Sequence, residues 1–139
     1  MSRRSLFVST LILTVAGVAG LLYCILAVSP YDESGGLSVT ALLLFFASLF
    51  VATAAAGSLL ALGLHGRWPA LAGGRDAGRR RTRWDGPPPA DAALRQGILF
   101  GLVVAILTAL SILRILDITF ALVTLLVAGL IEGFAQMRR

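Results

Sequence analysis

The sequence predicts an all-α fold, a four-helix transmembrane bundle made of two helical hairpins. Three observations predict it. Residues 6–28, 37–64, 97–113 and 118–135 form apolar runs almost free of charge. Each is long enough, or nearly so, to cross a hydrocarbon core of roughly 30 Å at about 1.5 Å per residue. The composition agrees: 58% of the 139 residues are hydrophobic and 14% are charged, where soluble domains carry about 25% charged residues. Third, the arginines gather at one set of helix ends, which is the signature of an oriented polytopic protein.

The first helix is expected over about 6–28. Met1-Ser2-Arg3-Arg4 followed by an apolar run imitates a secretory signal, but the run exceeds a normal signal core and Pro30 follows the Ala27-Val28-Ser29 stretch, so an uncleaved transmembrane helix is expected. Ser29-Pro30-Tyr31-Asp32-Glu33-Ser34-Gly35-Gly36 is a breaker-rich acidic turn. The second helix, about 37–64, would measure roughly 42 Å and must tilt or project from the core. These two helices form a first hairpin over 1–64. Residues 65–93 change character: they hold Arg67, Arg75, Arg79, Arg80, Arg81 and Arg83, several glycines and Pro87-Pro88-Pro89. Such a stretch is expected to be a basic cytoplasmic linker that buries no core. Trp68 and Trp84 within it suit the headgroup layer.

The second hairpin is expected over 94–139, with helices at about 94–114 and 118–136. Arg114-Ile115-Leu116-Asp117 is the polar break between them. One unbroken helix over more than forty residues would reach roughly 60 Å, leaving Arg114 and Asp117 at mid-membrane, so a tight turn is the better solution. Arg114 then caps the third helix and Asp117 the N-terminus of the fourth, where the helix dipole favours a carboxylate.

Orientation follows from charge. Arg3, Arg4, the linker arginines, Arg95, Arg138 and Arg139 share one side, and Arg114 lies on the other with Asp32, Glu33 and Asp117. The positive-inside rule then places both termini and the linker in the cytoplasm of a cell (inner or plasma) membrane protein. All twelve basic residues are arginine, a side chain whose planar fork suits phosphate, so Arg75, Arg79, Arg80, Arg81 and Arg83 are expected to contact anionic lipid headgroups. The net charge of +5 sits at the membrane rim, which makes nucleic acid an unsuitable partner.

Helix packing is expected through small residues. Gly97 and Gly101 on the third helix, and Gly129 and Gly133 on the fourth, are each four apart. In an antiparallel hairpin the two pairs reach the same depth, and small-xxx-small patterns allow backbones to approach closely. Ala16 with Gly20, Ala52 with Ala56 and Thr53 with Gly57 repeat the spacing more weakly. Glu132 is the carboxylate inside a span, and Arg95 at the start of the third helix is its expected ion-pair partner, with Gln96 and Gln136 as polar neighbours.

No catalytic or cofactor constellation is legible. Cys24 is the single cysteine and His65 the single histidine, which leaves neither a disulfide nor a recognisable metal set. The chain resembles a group of short, uncharacterised four-helix bacterial membrane proteins, in Pro30, Phe45-Phe46-Ala47-Ser48-Leu49-Phe50, Arg95-Gln96 and Glu132. It departs from that group in its arginine-rich linker and in having no tryptophan after the third helix. The resemblance implies the four-helix layout and the Arg95/Glu132 pairing, and supplies no reaction. Small multidrug transporters differ: their essential carboxylate lies in the first helix, which here carries no charge past Arg4. The expected role is therefore a structural or accessory subunit without catalysis, alone, as a homo-oligomer or in a larger membrane complex. The alternative is a small oligomeric transporter or channel using Glu132 and Arg95.

Overall fold

A computed structural model describes residues 3–33, 35–67 and 90–137. It contains helices α1 (Arg3–Ala27), α2 (Val39–Arg67), α3 (Ala90–Ile112) and α4 (Ile118–Met137). The fold is all-α, and each helix contains a segment long and apolar enough to cross a membrane: Ser5–Ala27, Val39–Leu64, Ala92–Ile112 and Ile118–Ala135.

The helix ends follow local chemistry. Pro30 stops α1, and the chain then folds back on itself: Ser38 N–H donates to the Pro30 carbonyl at 3.0 Å and Asp32 N–H to that of Gly36 at 2.8 Å. Gly35 takes φ +77° in this turn, a conformation that glycine adopts without a Cβ penalty. Ser38 precedes α2 and its Oγ accepts from Ala41 N–H at 3.4 Å, an N-cap that satisfies an otherwise orphaned donor. At 29 residues, α2 is roughly 43 Å long and exceeds the hydrocarbon thickness. α3 begins at Ala90, inside the stretch expected as linker. Alanine is the strongest helix former, and Ala92 and Ala93 are buried in the fold, so the tertiary contact extends the helix past the point where apolar character alone would start it.

The α3–α4 turn is closed by the backbone. Ile115 N–H donates to the Leu110 carbonyl and Arg114 N–H to that of Ser111, each at 3.0 Å. These two bonds make a Schellman closure, and Arg114 occupies its left-handed position at φ 56° where glycine is usual. Asp117 Oδ1 accepts from Ile118 N–H at 2.7 Å, which places a carboxylate on the N-terminus of α4.

The bundle is organised around α2. Positions 48 and 52 face α1, while 54, 57 and 58 lie on the opposite face toward α3; α4 adjoins α3 sparsely. The core is built from small side chains: Cys24, Ala52, Ala54, Ala55, Ala61, Ala92, Ala93 and Val103 are buried, with Thr10 and Ser58. Large apolar residues point outward, Leu26 at 81% exposure and Ile118 at 75%. This inversion of a soluble core is what a lipid solvent selects, because the gain comes from close backbone packing and not from removing leucine from water.

Candidate functional site

The intramembrane polar cluster is assembled from α3 and α4. Arg95 Nε donates to Glu132 Oε2 at 2.9 Å and Arg95 Nη2 to Glu132 Oε1 at 2.8 Å. Gln96 Nε2 adds a third donor to Oε1 at 3.2 Å. The guanidinium and carboxylate therefore meet fork to fork, the strongest geometry available to this pair. Both are half-buried, with side-chain exposures of 28% and 18%. A lone charge within a span costs about 2.5–3.5 kcal/mol at the centre of a helix; pairing offsets that penalty for both partners, and their position near the helix ends makes it smaller.

Position in sequence explains how the cluster forms. Arg95 lies in the second turn of α3, just after the buried Ala92 and Ala93 that seat the helix in the core. Glu132 belongs to the half-buried stripe of α4, with Ala121, Thr124, Ala128 and Ala135. That 3-4-4-3 spacing defines one helical face, and it is the face turned toward the bundle. The antiparallel turn at 113–117 then brings residue 132 back to the level of residue 95.

The glycines are arranged differently from the sequence expectation. Gly97 and Gly101 do form a close helix contact, but against α2. A methyl group at 97 would overlap Ser58 Oγ and the Ala54 carbonyl, and one at 101 would lie 2.8–3.0 Å from Ala54 Cβ, N and Cα. Gly129 and Gly133 have no neighbouring atom within 4 Å of such a methyl. The expected pairing of Gly97 and Gly101 with Gly129 and Gly133 is thus replaced by pairing with Ala54 and Ser58. The reason is azimuthal: on α4 the glycines sit about 100–140° round the helix from the Ala128 stripe, at 100° per residue. Matching depth placed them at the right level on the wrong face.

One close contact residue, Gly17, escaped the sequence reading. Gly17 meets the α2 backbone, where a methyl group would lie 2.5–2.9 Å from Ala52 N, Cα and Cβ, and a methyl group at Gly20 would lie 2.7 Å from Ser48 Oγ. The legible signal was Ala54-xxx-Ser58, a small pair on α2 with the same spacing as Gly97-xxx-Gly101. Gly57 and Gly20 fall in the weaker patterns and both sit at contacts.

Six hydroxyls of the spans are directed to carbonyls of their own helices. Thr10 and Thr14 on α1 donate to the carbonyls of Leu6 and Thr10. Thr53 and Ser58 on α2 donate to those of Leu49 and Ala54. Thr108 and Thr124 do the same to Val104 and Phe120. Among the described residues every buried side-chain nitrogen or oxygen has a partner, and no three His, Cys, Asp or Glu side chains come together as a metal site would need. Cys24 is a buried free thiol packed in the core. The expected headgroup arginines, Arg75, Arg79, Arg80, Arg81 and Arg83, lie outside the described residues, as do the side chains of His65 and Gln136. Comparison with protein-family models, curated proteins and solved structures finds no match.

Proposed function

We propose that this chain is a structural or accessory subunit of a cell membrane, without catalytic activity, whose helices serve packing and partner contact. The observation that carries this reading is the self-satisfaction of its intramembrane polar groups. A conducting or catalytic path needs donors and acceptors free to meet a solute, converging from several helices. Here the hydroxyls of Thr10, Thr14, Thr53, Ser58, Thr108 and Thr124 answer their own carbonyls, and the carboxylate of Glu132 is engaged by Arg95 and Gln96. Mild-detergent purification of the tagged full chain after in-cell crosslinking is expected to recover a stoichiometric membrane-protein partner or a discrete homo-oligomer. Recovery as a lone monomer that carries ion or solute flux in proteoliposomes would instead favour the transporter reading, for which the half-buried Arg95–Glu132 pair is the supporting feature.

The same proposal orients the chain with both termini and residues 65–93 in the cytoplasm, supported by the arginine asymmetry. A cysteine at Gly78 on a Cys24→Ser background should stay unlabelled by an impermeant thiol reagent in intact cells, and label after permeabilisation. Labelling in intact cells would reverse the orientation. With the linker at the cytoplasmic face, Arg75, Arg79, Arg80, Arg81 and Arg83 hold anionic headgroups, each contributing about 1 kcal/mol near the surface. Native mass spectrometry of the full chain should show retained anionic lipid that is lost when these arginines become glutamine. Equal retention by both forms would remove the headgroup role.

A further inference from the structure

We propose that α4 is a hinged helix, latched to α3 by Glu132 on Arg95 and Gln96 and free to swing about the 113–117 turn when that latch is broken. The inference goes beyond the accessory role and does not depend on it.

Three features carry it. First, α4 is the least embedded helix: none of its span is buried, against 17–22% for the other three. The face it offers to the bundle is Ala121, Thr124, Ala128, Glu132 and Ala135, and the Thr124 hydroxyl is turned back to the Phe120 carbonyl. Small, flat side chains of this kind give little interdigitation unless backbones come close, and the sparse contact between α3 and α4 shows that they do not. Second, two attachments lie at opposite ends of the helix. At one end the chain itself turns, through a left-handed Arg114 and an Asp117 cap. Fifteen residues on from Asp117, about 22 Å along the axis, Glu132 takes the two bonds from Arg95 and the third from Gln96. Third, the receptor of the latch is fixed while the bolt is not. Arg95 and Gln96 sit between buried Ala92 and Ala93 on one side and Gly97 on the other, and Gly97 packs against Ala54 and Ser58 of α2. Breaking the pair therefore leaves α3 in place and lets α4 move.

Charge and position explain why such a contact can act as a switchable one. A fork-to-fork ion pair is directional and all-or-none in geometry, whereas an apolar seam slides. Its partial exposure, 28% for Arg95 and 18% for Glu132, leaves both ends within reach of headgroups and water to which the freed charges can turn.

The test uses the full chain in lipid nanodiscs on a Cys24→Ser background, with spin labels at outward-facing positions. Leu60 with Ile131 spans α2 to the latched end of α4, Leu44 with Ile118 spans α2 to its hinged end, and Leu60 with Ile98 reports the α2–α3 contact; all five positions are exposed. Glu132→Gln and Arg95→Gln should each add a longer component to the Leu60–Ile131 distance, by about one helical pitch of 5 Å or more. The other two distances should stay at their original values. Reversing the pair, Arg95→Glu with Glu132→Arg, should restore the short distance. An unchanged Leu60–Ile131 distance in both single variants overturns the proposal. So does a joint shift of all three distances, which would make the ion pair a support of the whole fold, and so does a reversed pair that stays open.

Discussion

Replacing Gly97 by leucine is expected to lower the unfolding midpoint of the chain sharply, while the same change at Gly129 or Gly133 leaves it near that of the original protein. At 97 even the first carbon of a side chain collides with the Ala54 carbonyl and Ser58 Oγ. The carbonyl belongs to a helical backbone and cannot rotate away, so α2 and α3 must separate. Overpacking typically costs about 1–3 kcal/mol, and a clash with backbone belongs at the upper end. Gly129 and Gly133 look into open space, where substitutions stay within about 0.5 kcal/mol. Circular dichroism melts in detergent compare the variants directly. Gly97→Ala with Ser58→Gly should be more stable than Gly97→Ala alone, because the Ser58 hydroxyl, the nearest obstructing group, is gone. A larger effect at Gly129 than at Gly97 would contradict the α2–α3 packing and return the glycines to the α3–α4 seam.

Gly17 is expected to be the corresponding point on the other side of α2. A methyl there would lie 2.5 Å from Ala52 N, 2.7 Å from its Cα and 2.9 Å from its Cβ. All three atoms move only with the helix, so Gly17→Ala should already destabilise by about 1–3 kcal/mol, and Gly17→Leu by more. Gly63 supplies the control, since nothing lies within 4 Å of a methyl built there. Gly63→Ala should be neutral or stabilising by up to about 1 kcal/mol through helix propensity. Unfolding in a graded mixture of mild detergent and dodecyl sulfate, read on each variant, separates these cases. Equal midpoints for Gly17→Ala and Gly63→Ala would mean that α1 does not approach α2 as closely as the structure has it.

How much was legible varies with the kind of question. The four spans were legible because a lipid solvent demands about twenty apolar residues per crossing and tolerates few charges within them. The breaks at Pro30 and at Arg114 to Asp117 were legible because backbone chemistry acts over a few residues. Arg95 and Glu132 could be named because charge is rare inside these spans, and the structure brings their side chains together at 2.8 Å. The start of α3 at Ala90 was hidden, since its first turn follows a proline-rich stretch and is held in part by the burial of Ala92 and Ala93.

The sequence by itself determined the number of helices, their approximate ends, the level of each residue along its helix and which residues share a helical face. Those quantities depend on periodicity and on transfer from water to lipid, both of which are local. Only the tertiary structure decided which face of α3 meets which neighbour. Gly97 and Gly101 were at the right depth for Gly129 and Gly133 and equally at the right depth for Ala54 and Ser58. Depth is one coordinate and helix rotation is another. Rotation is set by where two whole surfaces fit most closely, and α2, with small residues on both faces, accepts α1 on one side and α3 on the other. That leaves α4 at the edge, joined to α3 through a turn and a charge pair, because the closest backbone approach available to α3 had already been taken by α2.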